Sequence, residues 1–339
     1  MNTDVSETIQ AVPDRGVDAA VAWHYGDPLR EQRVLATRAG LVDRSNRDVL
    51  VVPGEDRLPW LHSICSQHVA DLADGEATEA LVLSPHGHVE QHWQVTELDG
   101  QVWLDTEPGG GGPSLDYLQK MRFLKRVEPA DVTGEWAVLS LVGPRASEVL
   151  VAAGLPVPET GRAERLDGDG AGFVRGMSWP GASAVDLLVP RSDAERLRKR
   201  LVDAGAEPVG LWAFEALRVE ARRPRLGFET DHRTIPHEVG WIGPAVHLNK
   251  GCYRGQETVA RVHNLGKPPR RLVLLHLSGD SEELPDPGTP VLLGERQVGF
   301  LGTALHHYEL GPIALAVIKR SLPDDAALTV AGSAVAIDC

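Results

Sequence analysis

Short runs that alternate apolar and polar residues, separated by stretches with helical spacing, predict a mixed α+β fold. The runs "DVLVVPG", residues 48–54, and "WAVLSLVGP", residues 136–144, are typical of strands. Asp27, Pro28 and Gly40 supply a cap, a first-turn proline and a stop for one helix of about three turns. Strand and helix patterns continue to alternate through the first two thirds of the chain.

The middle of the chain predicts an antiparallel meander followed by a helix. Residues 79–107 contain alternating runs with turn residues at 85–87 and 99–100. Residues 114–127 have helical spacing. The glycine-rich stretch "EPGGGGP", residues 107–113, lacks the Lys-Ser/Thr of a phosphate-binding loop, so we expect a mobile loop there.

The two ends of the chain differ from its middle. From about Lys267 onwards, short β-rich runs are separated by glycine, proline, aspartate and serine, which predicts a compact all-β module at 267–339. The stretch "GKPPRR", residues 266–271, marks the boundary because its prolines restrict the chain and its charges stay hydrated. Residues 1–21 are expected to form a flexible tail.

Composition narrows the class of protein. The 339-residue chain has a formal net charge of −14, which opposes broad binding to nucleic acid or to anionic lipid, because both need an extended positive field. The first residues lack the pattern of a signal peptide, and no apolar run approaches the roughly 18 residues that a membrane span needs. We therefore expect a cytoplasmic protein that forms no stable complex with nucleic acid or membrane.

The three cysteines are too few and too far apart for a disulfide framework or a zinc site. Cys65 has the spacing of a core residue, and Cys339 is given no role. Cys252 differs because Lys250 and the start of a predicted helix would both stabilise its thiolate. Residues 250–271 carry six basic side chains and one acidic one, 6 − 1 = +5, which indicates a local anion site. From the residues alone, a solvated loop with a half-buried cysteine is favoured over a functional site.

The stretch "KGCYRGQE", residues 250–257, resembles the signature of the YgfZ family, whose members are relatives of the glycine-cleavage T-protein, an aminomethyltransferase. The stretches "LATRAGLVDRSNRDVLVVPGED", "LVGPRA", "ALRVEARRPRLGFE" and "IPHE" are similar to the T-protein pattern in the same order. The resemblance implies a three-domain cloverleaf around a central channel that holds tetrahydrofolate or a derivative. Residues 22–266 would form two interleaved α+β domains, and residues 267–339 a β-barrel.

The resemblance also implies roles for individual residues. Glu220 corresponds to the glutamate that binds the pterin edge, since a carboxylate accepts hydrogen bonds from amino and ring N–H groups; a helix-surface ion pair with a neighbouring arginine is its alternative. Trp212 and Trp241 are expected near the pocket, where a ring could stack on a pterin. Cys252 would be the functional thiol. The signature comprises Lys250, Gly251, Cys252, Tyr253, Gly255, Gln256 and Glu257, and the expected folate-binding residues besides Glu220 and Trp212 are Lys250, Tyr253, Gln256 and Arg261.

One departure from the T-protein pattern bears on the reaction. Where T-proteins carry paired aspartates, this sequence reads Gln91 and His92, and without the carboxylate an aminomethyl transfer loses its proton-handling group. The resemblance therefore favours an accessory protein that supports assembly or repair of iron–sulfur clusters in client enzymes, including tRNA-modifying ones, through transient contacts. A folate-dependent aminomethyl or methyl transferase and a thiol-based redox protein are the alternatives. No metal site is predicted, since the adjacent His306 and His307 would face opposite ways.

Overall fold

The computed structural model describes residues 12–13, 16–166, 172–179, 183–279 and 283–338, and these form nineteen strands and seven α-helices. The strands are β1 Val12–Pro13, β2 Ala22–His24, β3 Gly40–Asp43, β4 Asp48–Pro53, β5 Glu76–Leu83, β6 Val89–Leu98, β7 Gln101–Thr106, β8 Ala130–Asp131, β9 Trp136–Val142, β10 Ala163–Arg165, β11 Phe173–Gly176, β12 Ala184–Pro190, β13 Glu207–Val209, β14 Arg270–Leu277, β15 Pro290–Leu293, β16 Arg296–His307, β17 Gly311–Lys319, β18 Leu328–Val330 and β19 Ser333–Ile337. The α-helices are α1 Pro28–Thr37, α2 Arg57–Ile64, α3 Gly111–Met121, α4 Ala146–Ala152, α5 Arg191–Asp203, α6 Leu211–Glu220 and α7 Gln256–Leu265.

Three larger sheets make up the body of the protein. One has six strands in the order β10-β11-β12-β9-β3-β13, and the second has five in the order β5-β6-β7-β4-β8. The third closes into a barrel, β14-β17-β16-β15-β18-β19. This arrangement confirms the predicted α+β class with a C-terminal barrel, and β5, β6 and β7 form the predicted antiparallel meander.

Each sheet has its own hydrophobic core. All seven residues of β9 are buried, because β12 and β3 flank the strand and its faces are covered on both sides. Helices α4 and α5 pack on this sheet, whereas α2 and α3 cover the five-stranded sheet. The barrel is filled by apolar side chains from each of its six strands. Helix α1 begins as predicted, since Asp27 accepts a hydrogen bond from the backbone N–H of Arg30 at 2.9 Å.

Helix α6 lies at the junction of these units. Eight of its ten residues are buried, and it packs against α1, β2, β3, β16 and β17. Gly210 precedes the helix, and a Cβ atom there would lie 2.2 Å from the carbonyl oxygen of Trp23, so only glycine allows this close approach. The helix therefore carries two of its three charged residues, Glu215 and Arg218, into the interior.

Two sequence predictions need correction. Helix α3 starts at Gly111 and ends at Met121, so the glycine-rich stretch supplies its first turn instead of a mobile loop; the backbone N–H of Gly111 donates to Asp48 at 2.7 Å. Part of the predicted tail, residues 16–21, is packed on the protein, with Asp18 only 2% exposed. Residues 1–11, 14 and 15 of that tail, and Cys339, lie outside the described residues.

A substitution at Gly302 tests how closely the barrel strand β16 packs against the buried Glu229. A Cβ atom there would lie 2.4 Å from Oε1 of Glu229, a fully buried carboxylate held by ion pairing to Arg218. We expect Gly302→Ala to lower the free energy of unfolding by about 1–3 kcal/mol, measured by urea denaturation. Gly112→Ala is the control, because a Cβ there meets open space in a helix and should be neutral or stabilising by up to about 1 kcal/mol. Wild-type stability in Gly302→Ala would contradict this account.

Candidate functional site

A narrow polar cavity lies in the centre of the protein. Its free volume is about 30 Å3, room for about two water molecules. Strand β6, helix α6, the segment that carries Asp18 and the loops that follow β3, β7, β11 and α6 supply its wall. The lining residues are Asp18, Arg44, Asn46, Arg47, His92, Gln94, Glu107, Pro108, Met177, Trp179, Leu211, Phe214, Glu215, Arg218, Pro224 and Arg225.

Buried arginine–carboxylate pairs fill one side of the cavity. Arg47 donates from Nε to Asp105 at 2.7 Å and from Nη1 to Glu107 at 2.6 Å. Asp105 also pairs with Arg175 at 2.6 Å, and Glu107 also accepts from Arg225. Burial alone would raise the pKa of Glu107, but the charges of Arg225 and Arg47 hold it well below its usual range. These carboxylates are therefore ionised and neutralised by arginine.

Helix α6 contributes a second set of buried pairs. Arg218 donates from Nε to both carboxylate oxygens of Glu215 at 3.0 Å and from Nη2 to Oε2 at 2.7 Å. Its Nη1 donates to Glu229 at 3.0 Å, and Nη2 also contacts the hydroxyl of Thr303 on the barrel strand β16. Sequence reasoning missed both Glu215 and Arg218. Two opposite charges three residues apart in the otherwise apolar run "LWAFEALRV" were the available signal.

His92 and Glu79 form a pair on the cavity wall. His92 Nε2 lies 2.9 Å from Glu79 Oε2, and Arg223 donates to the other carboxylate oxygen. Burial opposes ionisation of Glu79, yet the hydrogen bond from His92 and the charge of Arg223 lower its pKa to about 2. The His92 ring packs on Trp241 with a centroid distance of 4.8 Å. His92, which the sequence resemblance aligns with an aspartate of T-proteins, is thus a buried imidazole with a carboxylate partner.

The signature loop lies outside the cavity lining. Lys250 Nζ donates to the carbonyl oxygens of Cys65 at 2.6 Å and Gln67 at 2.9 Å, and also to that of His62. These carbonyls lie in the last turn of α2 and just beyond it, where no intrahelical partner remains. Burial lowers the pKa of Lys250, opposed by the nearby Cys65. Lys250 therefore anchors the loop to the five-stranded sheet unit and is not free to contact a ligand.

The remaining signature residues divide into structural and exposed ones. Tyr253 is buried, and the amide of Gln256 donates to the carbonyl of Lys250 at 3.3 Å. Gly255 has φ +82°, and a Cβ atom there would lie 2.6 Å from the carbonyl oxygen of Ser84. Cys252 is exposed, as are Gly251 and Glu257. The loop is thus folded to hold the thiol at the surface.

The other predicted site residues lie apart from the cavity and from one another. Glu220 ends α6 with its side chain 47% exposed, and its carboxylate lies 3.5 Å from His307 on the barrel. Trp212 stacks on Trp23 with a centroid distance of 5.7 Å. Trp241 is fully buried, and Arg261 is exposed on α7. The structure does not bring Glu220, Trp212 and the signature residues together around the cavity.

The predicted local anion site at residues 250–271 is largely neutralised. Besides Lys250, three of its six basic side chains have carboxylate partners: Arg254 with Glu90, Arg270 with Asp231 and Glu238, and Arg271 with Asp324. The excess of charge counted along the sequence therefore does not correspond to an open cluster of cations.

Comparison with known proteins places this geometry in context. Residues 16–250 match the family described as GCVT N-terminal domain. An aminomethyltransferase of Rubrobacter xylanophilus is 30% identical over 91% of this chain and 84% of its own, and one of Symbiobacterium thermophilum is 28% identical over 82% and 78%. A putative chloroplastic transferase of Arabidopsis thaliana is 27% identical over 77% of this chain and 60% of its own.

A solved structure supports the fold. The glycine cleavage system aminomethyltransferase T from Bartonella henselae matches with a TM-score of 0.86 over 99% of this chain and 95% of its own, at 20% identity. The described part of the chain contains no helix that is both long and apolar enough to span a membrane. The T-protein-like arrangement that the sequence predicted is confirmed as a fold.

Because Glu79 is ionised in the folded protein, the free energy of unfolding should depend on pH. A carboxyl whose pKa is lowered on folding stabilises the protein above its ordinary pKa, and the contribution is lost as pH falls towards the lowered value. We expect Glu79→Gln to lower the free energy of unfolding by on the order of 3 kcal/mol near pH 7. This difference from wild type should shrink between about pH 5 and pH 2. Urea denaturation across this range measures it. Glu164→Gln, at an exposed carboxyl, should show no such trend; a pH-independent difference for Glu79→Gln would contradict the assignment.

Proposed function

Because the chain belongs to the GCVT N-terminal domain family, we propose that it binds a reduced folate, tetrahydrofolate or a derivative, in the central cavity. It has the GcvT-like transferase fold, and its relatives from Rubrobacter xylanophilus and Symbiobacterium thermophilum carry the name aminomethyltransferase. In this proposal residues 22–266 are the folate-binding region and residues 267–339 the barrel module, in a cytoplasmic protein.

The chemistry of the cavity fits the pterin part of a folate. Carboxylate oxygens of Glu215 accept hydrogen bonds of the kind that amino and ring N–H groups donate, and the amide of Gln94 both donates and accepts. Trp179 offers a partly exposed aromatic face, and its centroid lies 5.2 Å from that of the buried Phe214. Space is the limitation, since 30 Å3 is far below the roughly 300 Å3 of small ligand sites. Part of the wall must move outwards before a ring enters.

A more specific proposal about the function rests on Cys252. Its thiol is exposed, on a loop that Lys250 fixes to α2, within a stretch that resembles the YgfZ signature. We propose that the protein is of the YgfZ type and supports assembly or repair of iron–sulfur clusters in client enzymes, including tRNA-modifying ones, with Cys252 as the functional thiol. One cysteine cannot hold a cluster that needs about four ligands, so contacts with clients are transient.

The His92–Glu79 pair favours a second candidate, a folate-dependent aminomethyl or methyl transferase. An imidazole oriented by a carboxylate is a common proton-handling arrangement. His92 lines the cavity, and the resemblance aligns it with an aspartate of T-proteins. Gln91, by contrast, cannot ionise and accepts a hydrogen bond from Ser114. The names of the relatives agree with this candidate.

Folate binding is tested by anaerobic titration with tetrahydrofolate, comparing two variants. Trp179→Ala removes a partly exposed ring from the cavity lining and should weaken binding about tenfold, since it removes stacking area. Glu220→Ala, outside the cavity, should bind like wild type. The reverse pattern would return the pterin site to Glu220, and no binding by folded wild type would overturn the folate proposal.

The thiol role is tested by complementation. In a strain that lacks the protein, we expect Cys252→Ser to abolish rescue of iron–sulfur enzyme activity while folate affinity is unchanged. Arg254→Ala, at the neighbouring variable position, should rescue like wild type. Full rescue by Cys252→Ser would overturn the thiol role. Formation of methylenetetrahydrofolate that is lost in His92→Gln would favour the transferase candidate instead.

A further inference from the structure

Arg225 is bound by the carboxylate of Asp18 in a geometry that matches recognition of a free carboxylate. Nη1 of Arg225 donates to Oδ2 of Asp18 and Nη2 donates to Oδ1, both at 2.7 Å. Two parallel bonds from one guanidinium to one carboxylate are the strongest and most directional form of this contact. The guanidinium plane rests over the ring of Phe228, 4.4 Å from its centroid, which fixes its orientation.

Asp18 belongs to a segment with few other attachments. In residues 16–21 only Asp18 and Val21 are buried, and Val17 is 55% exposed. The backbone hydrogen bonds of the segment stay within it: Ala19 N–H to Gly16 and Val21 N–H to Asp18. Besides Arg225, the Asp18 carboxylate contacts the amide of Asn46. Such a segment opens more readily than a strand or helix of the same wall.

The free space beside Asp18 is too small for a ligand of ordinary size. Asp18, Arg225 and Glu107 all line the same cavity, whose free volume is about 30 Å3. The rest of the wall comprises strand β6 and helix α6, which backbone hydrogen bonds hold, and the loops that follow β3, β7, β11 and α6. In these loops Arg47 and Glu107 are held by buried ion pairs. Withdrawal of residues 16–21 is therefore the least disruptive way to enlarge the cavity.

If Asp18 withdraws, the guanidinium of Arg225 needs another group to accept its hydrogen bonds. Arg225 would keep only Glu107, bound through Nε and shared with Arg47, while Glu215, 3.7 Å from Nη1, is already held by Arg218. Both terminal nitrogens of a buried guanidinium would lose their acceptor, a strongly unfavourable state. A group that enters the cavity must therefore supply a planar anion with two acceptor oxygens.

We propose that Arg225 is the binding site for a carboxylate of the ligand, and that Asp18 occupies this subsite until the ligand displaces it. The inference deepens the proposed function and rests on it, since the ligand enters the same cavity. Two sources have this chemistry: the glutamyl tail of the folate itself, or a separate amino-acid-like substrate.

Calorimetric titration of the full chain under anaerobic conditions tests the proposal with three probes: tetrahydrofolate, 6-methyltetrahydropterin, which lacks the glutamyl tail, and glycine. Asp18→Asn removes the internal competitor and should bind the carboxylate-bearing probe about tenfold more tightly than wild type. Asp116→Asn, an exposed aspartate on α3, is the matched control and should match wild type. Adding Arg225→Lys to Asp18→Asn should abolish the gain, because lysine lacks the two-pronged donor.

The three probes distinguish the glutamyl tail of the folate from a separate substrate. They also distinguish the carboxylate site at Arg225 from folate binding itself. A gain for tetrahydrofolate but not for 6-methyltetrahydropterin assigns the tail, and a gain for glycine assigns a separate substrate. Equal affinity of wild type and Asp18→Asn for tetrahydrofolate and for glycine overturns the inference and leaves folate binding intact. A gain for glycine without binding of either pterin overturns folate binding alone. If Asp18→Asn does not fold, Asn46→Ala loosens the same carboxylate and should give a smaller gain; no gain there overturns the inference.

Discussion

A continuous network of buried ion pairs and hydrogen bonds joins the three sheets at the centre of the protein, and the rest of the structure depends on it. Asp105 on β7 pairs with Arg175 on β11, which connects the five-stranded sheet to the six-stranded one. Arg218 on α6 reaches Thr303 on β16, which connects the central helix to the barrel. Each sheet buries its own apolar core, and smaller apolar clusters also span the units. The polar contacts and this packing together fix how the units are oriented relative to one another.

The same network limits what the cavity can bind. Five arginines are buried among the described residues: Arg44, Arg47, Arg175, Arg218 and Arg225. A buried charge that loses its partner is far more costly than one that exchanges it, so a ligand enters most easily where it replaces a partner of its own kind. Asp105, Glu215 and Glu229 are held by regular elements or by several bonds each. The Asp18 carboxylate is the one whose segment contributes little else to the fold.

Local sequence patterns predicted the helices and strands, but they could not predict contacts between residues far apart in the sequence. The cap at Asp27, the meander of β5 to β7 and the β-rich end of the chain follow from residue spacing and turn chemistry, which act over a few positions. Asp18 meets Arg225 across 207 residues of sequence, and no periodicity records such a contact. The arrangement of domains came from resemblance to a family, and that resemblance also drew attention to Glu220 while the buried Glu215 and Arg218 went unnoticed.

Lys250 shows why a signature residue and a ligand-binding residue differ. A lysine beside a cysteine suggests an activated thiol, but here its ammonium group satisfies carbonyls at the end of α2. The signature loop and the cavity nevertheless share packing: Tyr253 and Trp241 belong to one buried apolar cluster, and Trp241 packs on His92 at the cavity wall. A ligand that shifts His92 would press directly on Trp241. The cavity wall and the loop that carries Cys252 are therefore joined by continuous close packing, in which little free volume is available.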